Sequence, residues 1–209
     1  MLKKDAEDYK IESREKFHKQ AEKYDSGNNG KHARSLYESV LNKLDELSFS
    51  NLLDVGCGTG NLLKLISSKY DVKIAGVDLT PKMLNIARIK LGDKADLKVA
   101  DSEELPFDDN KFDIVICTDS FHHYPHPEKV LAEIRRVLQQ DGILLIADPS
   151  TPAPIRQIVN LYFKLSRSGD VRIYPESDIR KLLEEAGFVS IKYEQAGTNA
   201  FIATAQIKK

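Results

Sequence analysis

The feature that most constrains this chain is a glycine-rich turn directly after an apolar run, NLLDVGCGTG at residues 51–60. Gly56, Gly58 and Gly60 alternate with other residues, and the carboxylate of Asp54 comes just before them. Glycine lets the backbone adopt positive φ and approach a ligand closely. A strand that ends in such a turn and leads into a helix is typical of α/β proteins that bind nucleotide-like ligands. The turn therefore predicts an α/β fold and a ligand of that class.

Strand-like and helix-like apolar patterns alternate around this turn. Strands are predicted at 52–55, 72–77, 97–100, 112–117 and 143–147, and helices at 32–47, 61–69, 80–90 and 127–138. Thr80 and Pro81 provide an N-cap and a first-turn proline for the third of these helices. Crossover helices of this length imply a parallel sheet with helices on both faces, and hence a doubly wound single domain.

The C-terminal part of the chain departs from this alternation. A helix is predicted at 177–186, where Gly187 ends it, and two strands follow at 188–194 and 200–206. The connection between the two strands is too short for a parallel crossover. They therefore either pair antiparallel or lie apart in the sheet.

Two segments fit the alternation poorly. Residues 1–25 are dense in charge and are expected to form a frayed helix or a flexible arm, which ends where DSGNNGKH interrupts the chain. This divides the chain into an arm at 1–30 and a domain at 31–209. Residues 149–174 begin with three prolines and contain an apolar piece at 155–165, at the sheet edge where open α/β folds bind ligands. That insertion is either a substrate lid or an additional packing helix.

Composition limits the classes of partner. Lys plus Arg total 31 and Asp plus Glu total 32, so the net charge of −1 does not favour nucleic acid or an anionic membrane surface as the main partner. No apolar run approaches the roughly 20 residues that span a bilayer, so no membrane insertion is expected. Cys57 and Cys117 are predicted to be reduced and buried, which favours a cytoplasmic location.

The spacing around the turn argues against a dinucleotide. The usual fingerprint is G-x-G-x-x-G with the pyrophosphate at the helix N-terminus, whereas here the third glycine position holds Asn61. Asp54 would also place a carboxylate close to the two phosphates, which is repulsive. A ligand whose near end is cationic suits Asp54 better.

Two further carboxylates follow neighbouring predicted strands. Asp78, in GVDLT, lies where nucleotide-binding α/β proteins hold ribose hydroxyls, and Asp101, in VADSEELPF, falls at the same edge. A carboxylate at the position of Asp101 can accept a hydrogen bond from an exocyclic amine. Three acids at three strand ends, with no basic residue beside the glycines in sequence, predict a pocket for a ligand with amines and hydroxyls.

These motifs together resemble the class I S-adenosylmethionine-dependent methyltransferases. The resemblance rests on LLDVGCGTGNLL, GVDLTPKMLNIAR, the long stretch from VADSEELPF to GILLIAD, and PESDIRKLLEEAGF, in this order over residues 51–207. More narrowly, the chain resembles the small-molecule branch related to quinone-biosynthesis C-methyltransferases. The upstream segment FHKQAEKYD is also similar to the N-terminal arm of that branch. The resemblance implies a Rossmann-like, mostly parallel seven-stranded sheet with an antiparallel last strand inserted into it.

The resemblance also implies roles for individual residues. Asp54 and the turn formed by Gly56, Cys57, Gly58 and Gly60 would take the methionine end of S-adenosylmethionine. Asp78 would take the ribose hydroxyls and Asp101 the adenine amine. The remaining cofactor contacts would be Leu79 and Met83 beside the adenine, the Ser102 backbone at a ring nitrogen, Thr118 near the sulfonium and Tyr24 closing over the cofactor from the arm.

Three histidines follow the fourth strand in FHHYPHPEKV. A metal site is not expected, because adjacent His122 and His123 diverge in most backbone conformations and no Cys or acid accompanies them at ligand spacing. In the resembling family such histidines line the acceptor pocket. His123, or else His122, is therefore a candidate general base, with structural packing as the alternative.

The expected function is transfer of a methyl group from S-adenosylmethionine to a small-molecule acceptor, with an O or C nucleophile favoured. Nucleic-acid amino-methylases of this family carry a D/N-P-P-Y/F motif after the fourth strand, where this chain has TDSF. A non-catalytic S-adenosylmethionine-binding regulatory module is the alternative. An NAD-type oxidoreductase is disfavoured by Asn61, Asp54 and Asp101.

Overall fold

A computed structural model describes residues 4–207, so the first three residues of the predicted arm and the last two of the predicted domain lie outside it. The helices are α1 (Ala6–Gln20), α2 (Asn28–Asp45), α3 (Asn61–Lys69), α4 (Pro81–Leu91), α5 (Pro127–Val137), α6 (Ile155–Leu165) and α7 (Glu176–Glu185). The strands are β1 (Asn51–Val55), β2 (Lys73–Asp78), β3 (Ala95–Val99), β4 (Phe112–Thr118), β5 (Leu138–Pro149), β6 (Phe188–Ala196) and β7 (Ala200–Ile207). Short 3₁₀ turns lie at Ala21–Ser26, Gly92–Lys94 and Phe121–His123.

The seven strands form one sheet in the order β3-β2-β1-β4-β5-β7-β6. The first five run parallel, whereas β7 pairs antiparallel with both β5 and β6. The predicted doubly wound fold with an inserted antiparallel last strand is thereby confirmed. Of the two arrangements left open for the C-terminal strands, the structure has the antiparallel pair.

Apolar residues cover both faces of the sheet, as continuous apolar strands require. One cluster contains Leu53 and Val55 of β1 and packs under α5 and α7, and the other contains Leu52 and packs under α2, α3 and α4. Successive residues of β1 therefore point to opposite faces and are buried on both. The buried sheet fixes the positions of the strand ends that carry the polar residues.

The N-terminal segment contains a helix, α1, which is one of the two forms expected for it. Asp5 caps α1 through a capping box with Asp8, which satisfies free N–H groups of the first turn. The interruption in DSGNNGKH is confined to the 3₁₀ turn and Gly27, so α2 begins at Asn28, four residues before the predicted start. No residue of α1 is fully buried, and both polar contacts and the edge-to-face contacts of Phe17 with Tyr24 and His123 join it to the rest of the fold.

Two other predictions are corrected in detail. Thr80 is the N-cap residue of α4, but its side chain makes no capping bond; its N–H instead donates to Oδ1 of Asp78 at 2.7 Å. The fifth strand is longer than predicted, because residues from Leu138 onward continue into it across the DG pair at 141–142.

The insertion after β5 places α6 on the surface. None of its residues is fully buried, and one side of the helix is half-buried against the protein. Asn160, on the inner side of α6, forms two hydrogen bonds with the backbone of Ile173 and so joins the helix to the segment that precedes α7. Whether the insertion acts as a lid stays a prediction.

Candidate active site

A cleft opens at the carboxyl ends of β1 to β4, and α1 lies across it. Ten of the predicted site residues line this cleft: Tyr24, Gly56, Gly58, Asp78, Leu79, Met83, Asp101, Ser102, Thr118 and His123. Lys10, Ser13 and Phe17 of α1 form the side opposite the sheet. The space between them is about 100 Å³. Sites for ligands of cofactor size usually measure roughly 300–1,000 Å³, so α1 leaves little free space in this cleft.

Asp78 organises the glycine-rich turn. Its Oδ2 accepts the N–H of Gly58 at 2.9 Å, and its Oδ1 accepts the N–H of Thr80. Burial raises the pKa of this carboxyl, although these backbone donors act in the opposite direction. Carboxylate oxygens carry further lone pairs, so Asp78 can still accept hydroxyl donors from the cleft.

Asp54 lies beneath the turn, 3% exposed. Burial, with the nearby charge of Asp78, raises its pKa to about 8. Within residues 4–207, its Oδ1 is one of the few buried polar atoms with no hydrogen-bond partner, and Oγ1 of Thr118 is another. Such groups are rare and costly, because burial without a partner forfeits hydration. A cationic group near the turn would compensate Asp54.

The other turn residues face the protein interior. A side chain at Gly60 would meet Cβ of Ala87 at 2.9 Å, so this glycine allows α3 to pack closely on α4. The thiol of Cys57 fills the space above Gly76 and is buried, which raises its pKa well above the usual value. Gly60, Cys57 and Asp54 do not line the cleft, and their predicted contacts with the cofactor stay predictions.

Basic residues reach the site from distant parts of the chain, contrary to the picture of an acidic pocket alone. Lys10 lies 2.7 Å from Asp101 and 2.8 Å from Glu103. Lys90 contacts Asp25 and Asn61, the residue at the third-glycine position. Sequence neighbours cannot indicate such contacts, because α1 and α4 approach the turn only in the folded chain.

The two adjacent histidines do not diverge, and acids accompany them. Their ring centroids are 4.1 Å apart. His122 Nδ1 lies 3.0 Å from Oδ1 of Asp148, and its Nε2 lies 3.6 Å from Oδ1 of Asp170. Burial lowers the pKa of His122, but the two carboxylates outweigh it and raise that pKa well above the usual value. His122 is therefore a buried imidazolium held between acids.

His123 has the opposite character. Burial and the neighbouring charge of His122 lower its pKa to about 3, although Asp170 is near its Nδ1. Its Nδ1 is 3.0 Å from the carbonyl oxygen of Gly169. Potential ligand atoms of His122, His123 and Asp170 lie within 4.8 Å of one another. Lys16 also approaches Asp170, at 3.4 Å, and supplies a positive charge there.

A second cavity adjoins the cleft and is called the side cavity here. It measures about 150 Å³ and is lined by Lys16, Phe17, Tyr24, Asn29, His32, Asp119, His122, His123, Pro149 and Asp170. Phe17, Tyr24, Asp119 and His123 line both spaces and form the wall between them. Two compartments therefore meet beside the end of β4.

Asp119 and His32 form a pair in that region that sequence reasoning missed. Nδ1 of His32 lies 2.8 Å from Oδ1 of Asp119. Burial raises the pKa of Asp119, but the hydrogen bond from His32 and the charges of His122, His32 and His123 together leave that pKa lowered, while the bond to Asp119 raises the pKa of His32. Asp119 has φ +55°, a conformation that is uncommon for non-glycine residues and that clusters at functional sites. The signal available in the sequence was TDSF directly after β4.

Residues 53–146 match the family described as the methyltransferase domain. Malonyl-acyl-carrier-protein O-methyltransferase of Geobacter sulfurreducens is 30% identical over 194 residues, which are 86% of this chain and 70% of that protein. The chain belongs to the S-adenosylmethionine-dependent methyltransferases. This confirms the resemblance stated from its motifs.

Other relatives extend the comparison. The ubiquinone/menaquinone biosynthesis C-methyltransferase of Citrifermentans bemidjiense is 37% identical over 121 residues, which are 54% of this chain. The chain spans about half of that relative's length, 52%. A solved S-adenosylmethionine-dependent methyltransferase from Aquifex aeolicus superposes with a TM-score of 0.64 at 25% identity, covering 82% of this chain and 89% of that one.

The residues of this methyltransferase fit the cofactor that its family uses. The methionine ammonium and the sulfonium are cationic, and the carboxyl group of Asp54, whose Oδ1 has no hydrogen-bond partner, lies directly beneath the glycine turn. A side chain at Gly58 would meet nothing within 4 Å, so the backbone there faces open space in the cleft. Among residues 4–207, no helix is long and apolar enough to cross a membrane.

Proposed function

We propose that this methyltransferase transfers a methyl group from S-adenosylmethionine to a small-molecule acceptor with an oxygen or carbon nucleophile. The observation that carries the proposal is the juxtaposition of an acidic cleft over the glycine turn and a side cavity beyond one shared wall. Bound S-adenosylmethionine supplies an activated methyl group on a sulfonium. The protein then has to align two ligands, exclude water and remove a proton where the acceptor carries one.

The cleft provides the cofactor contacts in this proposal. Asp54 compensates the cationic methionine end, Asp78 accepts the ribose hydroxyls, and Asp101 accepts the adenine amine after release from Lys10. The further contacts are the backbone of Gly56, Gly58 and Ser102, the side chains of Leu79, Met83 and Thr118, and Tyr24 over the cofactor. Burial raises the pKa of Tyr24, so its phenol stays neutral and can donate a hydrogen bond.

The side cavity is the proposed acceptor site. At about 150 Å³ it has the size of a cavity that holds one benzene ring. Polar residues line most of it, so a small ring with hydroxyl or carbonyl groups suits it better than a purely apolar molecule. The relatives act on chemically different acceptors, as the names C-methyltransferase and O-methyltransferase state. The acceptor atom of this chain is therefore decided by its own side cavity.

For the proton, the geometry favours His32 over the predicted bases. His122 is held protonated between two acids, and a pKa of about 3 makes His123 a weak base. When the His32 ring is neutral, its Nδ1–H donates the hydrogen bond to Asp119. The lone pair that can accept a proton is then on Nε2. A carboxylate that orients an imidazole also stabilises the imidazolium formed when it accepts a proton.

Calorimetry with S-adenosylmethionine and with NAD tests the cofactor, and S-adenosylhomocysteine release tests transfer over a panel of phenols, quinones, amines and carboxylates. We expect S-adenosylmethionine to bind, Asp78→Ala to abolish binding and an oxygen or carbon acceptor to be turned over. Binding of NAD alone would overturn the cofactor assignment. Tight S-adenosylmethionine binding without any turnover would favour the regulatory module. The free, buried state of Cys57 and Cys117 supports the cytoplasmic location as part of this proposal.

A further inference from the structure

The outward face of α6 is apolar and uncovered. Five large side chains on this 11-residue helix are more than half exposed: Ile155, Ile158, Leu161, Tyr162 and Leu165. At about 100° per residue, they fall within an arc of roughly 120° on one side of the helix. Scattered exposed apolar residues are normal on a protein surface, but a contiguous patch of this kind marks an interaction site.

The orientation of this face is fixed by contacts on the other side of the helix. Nδ2 of Asn160 donates to the carbonyl of Ile173 at 3.0 Å, and the N–H of Ile173 donates back to Oδ1 of Asn160 at 2.8 Å. The guanidinium of Arg156 donates to the carbonyl oxygen of Thr151. A rotation that turned the apolar arc inward would break these bonds, so the arc faces away from the protein.

The charged residues within the insertion itself have one sign. Residues 149–169 contain Arg156, Lys164 and Arg167 and no acidic residue. Lys164 and Arg167 are exposed. The next acid, Asp170, is 12% exposed and is engaged by Lys16 and the histidine pair. The overall net charge of −1 hides this local excess of cations.

We propose that α6 is an interfacial helix that docks this protein on the surface of an anionic lipid bilayer. An amphipathic helix with an apolar face and flanking Lys or Arg lies in the plane of the membrane interface, its apolar side chains among the acyl chains and its cations at the headgroups. This requires no membrane-spanning segment. It replaces the expectation from net charge that an anionic surface is not a partner.

A second copy of the chain suits the face less well. Symmetric pairing through α6 would bring the cations of both copies together, and residues 149–169 offer no carboxylate to neutralise them. Anionic headgroups supply that neutralisation. The inference does not depend on the proposed methyl transfer, because it rests on residues outside the cleft and the side cavity.

The chain has no tryptophan, which allows a single reporter to be placed on the face. In Tyr162→Trp, we expect a fluorescence blue shift with phosphatidylcholine vesicles that contain phosphatidylglycerol, and at least about tenfold weaker binding to phosphatidylcholine alone. Ile89→Trp is the matched control, because Ile89 is 85% exposed on α4 and lies outside residues 149–169. No shift in Tyr162→Trp, or the same shift in both variants, would overturn the proposal.

Vesicle co-sedimentation tests the unlabelled face. We expect the double variant Ile158→Ser/Leu161→Ser to bind mixed vesicles at least about tenfold more weakly, and Ile89→Ser to bind as the unmodified chain does. Lys164→Gln/Arg167→Gln should lose most of the preference for anionic lipid. Because the substituted residues are exposed, thermal unfolding should remain unchanged. Unaltered sedimentation of the Ile158/Leu161 variant, or a dimer in light scattering that this variant dissociates, would assign the face to another occupant.

Discussion

The ammonium nitrogen of Lys10 in α1 lies 2.7 Å from Oδ2 of Asp101 at the end of β3. Burial lowers the pKa of Lys10, but its bonds to Asp101 and Glu103 outweigh that effect and raise it, so Lys10 is charged. The ion pair joins α1 to the cleft at the carboxylate that we propose for the adenine amine. Helix α1 and the cofactor therefore compete for one group.

Replacing Lys10 with methionine tests this competition. Methionine has a side chain of similar length but forms no ion pair with Asp101 that the cofactor would have to break. We therefore expect S-adenosylmethionine to bind about threefold to tenfold more tightly in calorimetry. Lys19→Met is the control, because Lys19 lies on the same helix and pairs only with exposed Glu15 among the residues described. Weaker binding by Lys10→Met would mean that Lys10 holds the cofactor instead of competing with it.

Alanine substitutions at Gly58 and Gly56 should have different effects, because Gly58 faces the open cleft and Gly56 packs against Ser120. An alanine at Gly58 has φ +53° but meets nothing within 4 Å, so we expect a stability loss of about 1 kcal/mol and at least about tenfold weaker cofactor binding. An alanine at Gly56 would meet Cβ of Ser120 at 2.6 Å, and should destabilise the fold by about 3 kcal/mol. Denaturant unfolding and calorimetry on both variants measure the contrast. Unchanged affinity in Gly58→Ala would remove the turn from the cofactor site.

Asp54 should link cofactor binding to proton release. Its pKa of about 8 leaves it mostly protonated at pH 7, and a cationic ligand favours the carboxylate, so binding should release up to about one proton. Calorimetry in buffers with different ionisation enthalpies measures that number. Asp54→Asn should release none and bind more weakly, whereas exposed Asp96→Asn should behave as the unmodified chain does.

The same pKa predicts the sign of a stability effect. The pKa of Asp54 is higher in the folded protein than in the unfolded chain, so the folded state binds the proton more tightly and loses stability as pH rises towards and through about 8. Without cofactor, Asp54→Asn should therefore gain in melting temperature relative to the unmodified chain at pH 9 and not at pH 3. An equal gain in melting temperature at pH 9 and pH 3 would show that the ionisation of Asp54 is not the cause.

His32 and His123 are rival bases whose variants give different results. With an acceptor found in the screen, His32→Ala should lower kcat at least about tenfold and remove the acidic limb of the pH profile. Asp119→Asn should have a similar effect through the orientation of His32. His123→Ala should mainly raise the KM for the acceptor, because this ring lines the shared wall. A tenfold loss of kcat confined to His123→Ala would restore the base predicted from the sequence.

Local signals in the sequence were sufficient for the fold. The boundaries of α3 and α6 agree with prediction to the residue, because apolar periodicity and turn residues define helices within a few positions of the chain. Parallel pairing followed from the crossover lengths, and the short QAGTN connection required β6 and β7 to be something other than parallel neighbours. The sequence left residues 1–25 open between a frayed helix and a flexible arm, and the structure has a helix with a capping box there, α1.

Part of the candidate site could likewise be predicted from the sequence, and part could not. Asp54 and Asp78 lie at the carboxyl ends of β1 and β2, and Asp101 follows β3. Parallel strands bring their carboxyl ends to one edge, so the sequence itself determined that these acids lie near that edge. Only the folded chain decided which charges meet there: Lys10 at Asp101, His32 at Asp119, and Asp148 and Asp170 around His122. These partners are separated by 26 to 91 positions, and no local pattern specifies such contacts. They arise because the packing of the buried sheet and its helices brings those surfaces together, and burial then sets which groups are charged.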